Sequence, residues 1–316
     1  MRRYGTLGGA AMLALVCSGA GLPPYLLPGA EEPVSHLAST VDANPPGALG
    51  ARTVLGLPRH LRAQAVADAT AAYAKRLERA EARRVVAAKR WGLRRAPLRA
   101  PAPPAHKPKL ATEPGHLSGP GLPPVVVRAP TEDKVVFLTI DDGADKDPKL
   151  LDMLRELDVP YSSFLTDYVA RDDYGYFRRA HRNGSGVHNH TVTHPELPRL
   201  SYRQQRAEIC RQQDNLEREI GERPVLFRPP YGAYDRDTLR AAASCGVTAV
   251  PLWAEEAFPD RIEWGRADRK FHPGDIILTH FRGPGEWDGT MTDMVRRVLA
   301  TATEQGFALA RLEDYL

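Results

Sequence analysis

The rhythm of apolar and polar positions divides the chain into a C-terminal part with a regular beat and an N-terminal part without one. Val135-Val-Phe-Leu-Thr-Ile140 is an almost unbroken apolar and β-branched run, the pattern of a strand buried on both faces. Asp147 and Pro148 then cap and open a helix that reaches Leu157 with apolar residues three and four apart. A second strand is expected over 161–166, and a short helix from Tyr174 to His181 that ends at Asn183-Gly184. Amphipathic helices are expected over 202–220 and 237–245, each stopped by a glycine. Strands over 247–253 and 275–280, a closing helix over 291–305 and a last strand over 307–312 complete the pattern. Strand and helix in alternation, with strands of the buried parallel type, imply an α/β barrel or a doubly wound sheet over about 131–316.

Ahead of residue 131 the beat is lost. Residues 1–30 open with Met1-Arg2-Arg3 and run into an apolar stretch from Leu7 to Val16, as an export signal does. Because Gly21 to Ala30 is also uncharged, an uncleaved N-terminal membrane anchor is the alternative. Cys17 suits a lipid-bearing cysteine less well, since Val16 before it is bulky. Residues 31–58 are rich in Pro, Ala and Gly without a period and read as a disordered tether.

Residues 59–95 form an alanine-rich basic helical stalk, with Arg59, Arg62, Lys75, Arg76, Arg79, Arg83, Arg84, Lys89 and Arg90 against only Asp68, Glu78 and Glu81. Its large apolar residues are too sparse for a core of its own. The stalk reads first as a solvated spacer, and second as an element lying on anionic membrane lipid or an acidic wall polymer. Residues 96–130, with Pro101-Ala-Pro-Pro104 and Pro120-Gly-Leu-Pro-Pro124, read as a semi-rigid linker.

Composition changes this picture little. The 316 residues are 42% hydrophobic and 26% charged, ordinary for a soluble protein, and the net charge of +4 has its source in the stalk. No nucleic-acid motif accompanies that charge, so nucleic acid is not an expected partner. Export to the cell surface or beyond would put Cys210 and Cys245 in an oxidising compartment, where pairing and free thiols both stay open.

The candidate chemistry lies in four short stretches. Asp141-Asp142-Gly143 follows the first strand directly, at the carboxyl end where α/β folds carry their sites, although alone it would be an ordinary turn. His190-Thr-Val-Thr-His194 lacks a Glu after its first histidine and is closed by Pro195, which favours a loop over a helix. Together the two stretches offer one carboxylate and two imidazoles to a divalent metal and leave a second carboxylate free, a hydrolase site in outline. His188 adds a third ring and is not taken as a ligand. In Phe227-Arg228-Pro229-Pro230-Tyr231-Gly232 the two prolines stiffen the backbone and leave the Tyr231 amide as a fixed donor for an oxyanion. The strand 275–280 ends in His280, placed to act as a general acid.

In this order the four stretches resemble the NodB-type polysaccharide deacetylases, carbohydrate esterase family 4. The resemblance covers roughly residues 131–316 and implies a deformed (β/α) barrel with fewer than eight repeats. It implies Asp141 as catalytic base, Asp142, His190 and His194 as metal ligands, and Arg228 as the residue that orients Asp141. The Tyr231 amide would complete the oxyanion hole and His280 would be the acid. One divalent ion is implied; the donor types suit zinc, with cobalt or nickel as alternatives. The implied substrate is an N-acetylated glycan, peptidoglycan or chitin-like, with an O-acetylated xylan as the alternative. Trp253 is a candidate substrate contact and equally a candidate core residue, and Trp264 and Trp287 are candidates for stacking on sugar rings. One departure stands out: the chain reads Trp253-Ala-Glu255-Glu256 where the family carries an Asp motif before a Trp. Either Glu255 or Glu256 is a candidate partner for His280. The departure also motivates the reading of a non-catalytic wall-binding protein, and a scaffold whose basic stalk is the active part is a further alternative.

Overall fold

The computed structural model describes residues 59–316. The expected export or anchor segment at 1–30 and the tether at 31–58 lie outside the described residues. The chain begins with the helix α1 (Arg59–Arg90), followed by the short strand β1 (Val125–Val126). β2 (Val135–Asp142) is buried along its whole length up to Asp141, as its apolar run requires. In α2 (Pro148–Leu157) the Asp147 side chain accepts the Lys149 N–H and Pro148 sits in the first turn. Then come β3 (Ser162–Leu165), the single turn α3 (Asp167–Ala170), α4 (Tyr174–Arg182) and β4 (Gly186–Asn189).

α5 (Tyr202–Ile220) opens with a capping box of Ser201 and Gln204 and ends at Gly221, whose φ of 93° is left-handed. α6 (Arg236–Ser244) begins one residue earlier than expected because Asp235 caps it. The strand expected over 247–253 is shorter, β5 (Val250–Pro251); two strands the sequence did not announce follow, β6 (Glu255–Ala257) and β7 (Ile262–Trp264), which returns antiparallel to β6. β8 (Ile276–His280), α7 (Met291–Gln305) and β9 (Ala308–Leu309) complete the chain, the last shorter than expected.

The strands curl into an irregular barrel. β4, β3, β2, β8 and β6 are neighbours in parallel, and β9 joins the start of β2. On the far side the ring is held by single bridges, Asn189 to Phe227 and Leu226 to Ala249, after which the 249–256 segment reaches back to β8. Alternation along β2 sorts its two faces. Val136, Leu138 and Ile140 pack outward against α2 and α7, while Val135 and Phe137 fill the interior with Phe164, Leu226, Ala249 and Ile276. Thr139 and Asp141 share the parity of Phe137, so the inward row becomes polar at the strand's carboxyl end. Leu312, Tyr315 and Leu316 close the opposite end, with the Tyr315 ring 5.0 Å from that of Phe137.

Two expectations for the N-terminal region need correction. The spacer reading fits only the first turns of α1; its last turns are seated on the domain through Ala80, Arg84, Ala87 and Ala88, all buried. The Arg84 guanidinium donates to Leu157 O and Pro97 O, both at 2.8 Å, so it satisfies one free carbonyl at the end of α2 and one in the segment that follows α1. Small alanines let the helices approach closely, a packing mode that a search for large apolar residues does not register. Nor is 96–130 a free linker: β1 pairs with β5, Leu98 bridges to Ala308, and Val125, Val126 and Ala129 are buried. Cys210 and Cys245 are disulfide-bonded and tie α5 to α6. Among the described residues no helix is long and apolar enough to cross a membrane.

Candidate active site

The four stretches singled out in the sequence meet at the carboxyl end of the barrel. β2 delivers Asp141 and Asp142, and the register that sets Asp141 opposite His280 on β8 brings the histidine to the same rim. β4 delivers His190 just beyond its last residue, where the His190 N–H donates to Leu165 O. One ligand atom each from Asp142, His190 and His194 lies within 4.8 Å of the others. Asp142 Oδ1 is 3.3 Å from His194 Nε2 and 3.6 Å from His190 Nε2. His188 points elsewhere, its Nε2 lying 2.6 Å from Glu313 Oε1.

The donor set fits a divalent cation. Asp142 Oδ1 is buried and has no hydrogen-bond partner among the described residues, although it faces two imidazoles. His190 Nδ1–H donates to Arg228 O at 2.7 Å, which leaves the Nε2 lone pair directed at the cluster. Burial holds the His190 imidazolium down to about 4, against the opposing charge of Asp142, so the ring is neutral at pH 7. Burial alone would raise the Asp142 carboxyl, but His190, His280, His194 and Arg282 outweigh it and hold it below the ordinary range.

Asp141 is kept for a different task. Arg228, fully buried, donates Nη1–H to Asp141 Oδ1 at 2.7 Å and to Thr139 Oγ1, and its other donors reach Pro251 O and Leu252 O. Burial pushes the Asp141 carboxyl up, with Arg228 and His280 pulling against it. Trp253 packs 5.9 Å from the Arg228 guanidinium and would crowd a Cβ on Gly232, which would lie 3.0 Å from the indole. The Tyr231 N–H has no acceptor in the protein among the described residues, and the ring of this 67% exposed residue packs 4.7 Å from His194.

His280 has Glu256 as its carboxylate neighbour, with Oε1 3.5 Å from Nδ1. Glu256 pairs in register with Leu278, two residues short of the histidine, and its long side chain spans that offset. Glu255 turns the other way, buried beside Arg266 and Asp275; burial, then Asp275, raises its carboxyl. Of Trp264 and Trp287, the first packs on Phe271 and the second on Phe258.

Residues outside the four stretches hold the geometry. Glu208 on α5 accepts the N–H groups of Val192 and Thr193, and Asn189 Oδ1 accepts that of Thr191, so the loop presenting His194 is clamped from below. Asp142, Thr191, His194 and Tyr231 have φ of 74°, 73°, 59° and 62°, all left-handed without being glycine. Such conformations cost about 1–3 kcal/mol each and persist where surrounding contacts dictate them. No sequence signal marks Glu208 among the other charges of α5.

A family model described as polysaccharide deacetylase matches residues 128–250. An uncharacterized protein of Streptomyces coelicolor is 44% identical over 196 residues, 62% of this chain and 78% of that protein. A chitooligosaccharide deacetylase of Sinorhizobium fredii is 31% identical over 200 residues, 59% of this chain and 87% of its own. Among solved structures, a peptidoglycan N-acetylglucosamine deacetylase superposes with a TM-score of 0.54 at 26% identity, over 60% of this chain and 92% of that one. A family 4 pseudoenzyme of Bacillus anthracis shares the fold, with a TM-score of 0.53 at 23% identity over 61% of this chain and 68% of that one. The chain belongs to the polysaccharide deacetylase family, the NodB-type hydrolases of carbohydrate esterase family 4.

Proposed function

We propose that the protein is a metal-dependent hydrolase that removes N-acetyl groups from a cell-wall or extracellular glycan, peptidoglycan or chitin-like, and releases acetate. The observation that carries this reading is the convergence of Asp142, His190 and His194 beside a second carboxylate, Asp141, held by a buried arginine. A zinc-class ion on the three ligands would acidify a water molecule and polarise the acetyl oxygen. Asp141 is placed to take a proton from the attacking water, and Arg228 fixes the carboxylate for the transfer. The Tyr231 amide donates to the oxygen that gains charge as the acetamide carbon becomes tetrahedral. His280 hands a proton to the departing nitrogen, with Glu256 at its other ring nitrogen stabilising the charged imidazole.

The peptidoglycan and chitin-like assignment is supported by relatives that are named chitooligosaccharide and peptidoglycan deacetylases, and an exported chain whose basic α1 meets an anionic membrane or wall polymer agrees with it. Metal analysis of the purified chain, coupled to acetate release from chitooligosaccharide, peptidoglycan and acetylated xylan, tests the reading. One bound ion and acetate from an N-acetylated glycan are expected; acetate from xylan alone would make it an O-acetyl esterase. Glycan retention without acetate under any divalent metal would instead favour a non-catalytic binder, a reading motivated by Glu256 and by the pseudoenzyme that shares the fold.

A further inference from the structure

Two arginines reach the candidate active site, and they are used in opposite ways. Arg228 commits its donors to the protein. The Arg282 side chain is 37% exposed, and among the described residues its guanidinium donates no hydrogen bond. It stands only at ion-pair range of Asp142 Oδ2, at 3.5 Å, and of Glu286 Oε2, at 3.4 Å. A guanidinium carries five donors in a planar fork, so nearly all of its recognition capacity is open.

The position of Arg282 is built, not incidental. Phe281 is buried against Tyr176 and Phe177 at centroid distances of 6.3 and 5.4 Å. The Phe281 N–H donates to Asp141 O, the Asp145 N–H to Phe281 O, and the Arg282 N–H to His280 O. Gly283 then turns the chain where a Cβ would lie 2.4 Å from Asp145 Oδ2. A fixed backbone thus delivers a cation to the lip of the site, two residues beyond His280. For metal binding alone this cation is a disadvantage, because it draws on the charge of a ligand carboxylate. Tyr168 on α3 and Tyr231, 51% and 67% exposed, offer ring faces beside the histidine loop, for the Tyr168 N–H donates to Val192 O in that loop. Aromatic faces beside a free guanidinium suit a sugar ring that also bears an acid.

We propose that Arg282 binds a carboxylate of the substrate, so that the site prefers an N-acetylated amino-sugar polymer carrying free carboxylates over a neutral one. The inference rests on the hydrolase reading for its substrate class, but not for its test. The zinc-loaded full chain is given three oligomers of equal length: chitooligosaccharide, peptidoglycan glycan strands stripped of peptide so that their lactyl carboxylates are free, and the same strands methyl-esterified. Acetate release and calorimetric binding are both read.

Wild type is expected to favour the free-acid strand, and Arg282→Gln to lower kcat/KM for it about tenfold more than for the chitooligosaccharide, the weight of a charge-assisted hydrogen bond. Arg282→Lys, which keeps charge without the fork, should retain part of the preference, and the esterified strand should behave as a neutral one. Equal losses on all three substrates, or an unchanged preference, overturn the proposal while leaving the hydrolase reading intact. If no substrate yields acetate, the hydrolase reading fails and binding decides: carboxylate-dependent affinity lost in Arg282→Gln upholds the inference, and its absence overturns it.

Discussion

His188 lies on β4 and His190 just beyond its end, and the barrel treats them in opposite ways. At the closed end His188 Nε2 lies 2.6 Å from Glu313 Oε1, and the side chains are 5% and 11% exposed. At the rim His190 Nε2 stands 3.6 Å from both Asp141 Oδ2 and Asp142 Oδ1, too far for a hydrogen bond. The first pair is complete and anchors the C-terminal plug; the second is held open. Unpartnered atoms alone do not distinguish them, because His188 Nδ1 and Glu313 Oε2 are also buried without hydrogen-bond partners among the described residues. What separates the ends is convergence, since among the described residues only at the rim do a carboxylate and two imidazoles lie close enough to share one cation.

The largest expected effect lies at the rim. Asp141→Asn should leave the metal content unchanged and lower acetate release about 10³-fold, the usual weight of a general base. Elemental analysis beside an acetate assay checks it; undiminished turnover would remove Asp141 from the base role. The floor should respond in stability instead. Burial pushes the Glu313 carboxyl up, but hydrogen bonding and charge from His188 overcome this and hold it at about 2, against an ordinary 4.5. A depressed carboxyl contributes stability that is full above the unfolded value and lost as pH falls through the folded one, here about 3 kcal/mol lost between pH of about 4.5 and 2. Glu313→Ala should therefore lower unfolding stability at pH 7 by about 3 kcal/mol without changing metal content, and the gap from wild type should shrink by roughly half at pH 3. A constant gap in urea titrations at the two pH values would mean that packing, not charge, holds the plug.

Legibility follows the same division between closed and open structure. The buried run of β2, the Asp147-Pro148 helix start and the glycines after α5 and α7 act locally, so the sequence displays them. The rim residues were visible as types in order, but their left-handed backbones and the Glu208 clamp depend on neighbours distant in sequence. The α1 seam was hidden altogether, because Arg84 sits in a run of similar cations and its partners across the seam, Leu157 O and Pro97 O, are backbone atoms. Arg84→Ala should cost about 2 kcal/mol by leaving buried carbonyls unpaired, whereas Arg83→Ala, on the exposed side, should cost under about 0.5 kcal/mol. Equal small losses in thermal unfolding would return the whole helix to the role of a spacer.

The smallest effect concerns the place where the sequence departs from its family. Glu256 starts two residues behind His280 in register, and its extra methylene lets the carboxylate reach Nδ1. Glu256→Gln keeps that reach but removes the negative charge, so the imidazolium loses a stabilising neighbour and its pKa falls. Acetate release should drop about tenfold, with the alkaline limb of the kcat profile moving to lower pH, because the proton donor is lost sooner as pH rises. Glu256→Asp restores the charge but falls short of the ring, so it should rescue little of the rate. If Glu256→Asp instead matches wild type, the strand offset does not govern the pair, and charge anywhere near His280 suffices.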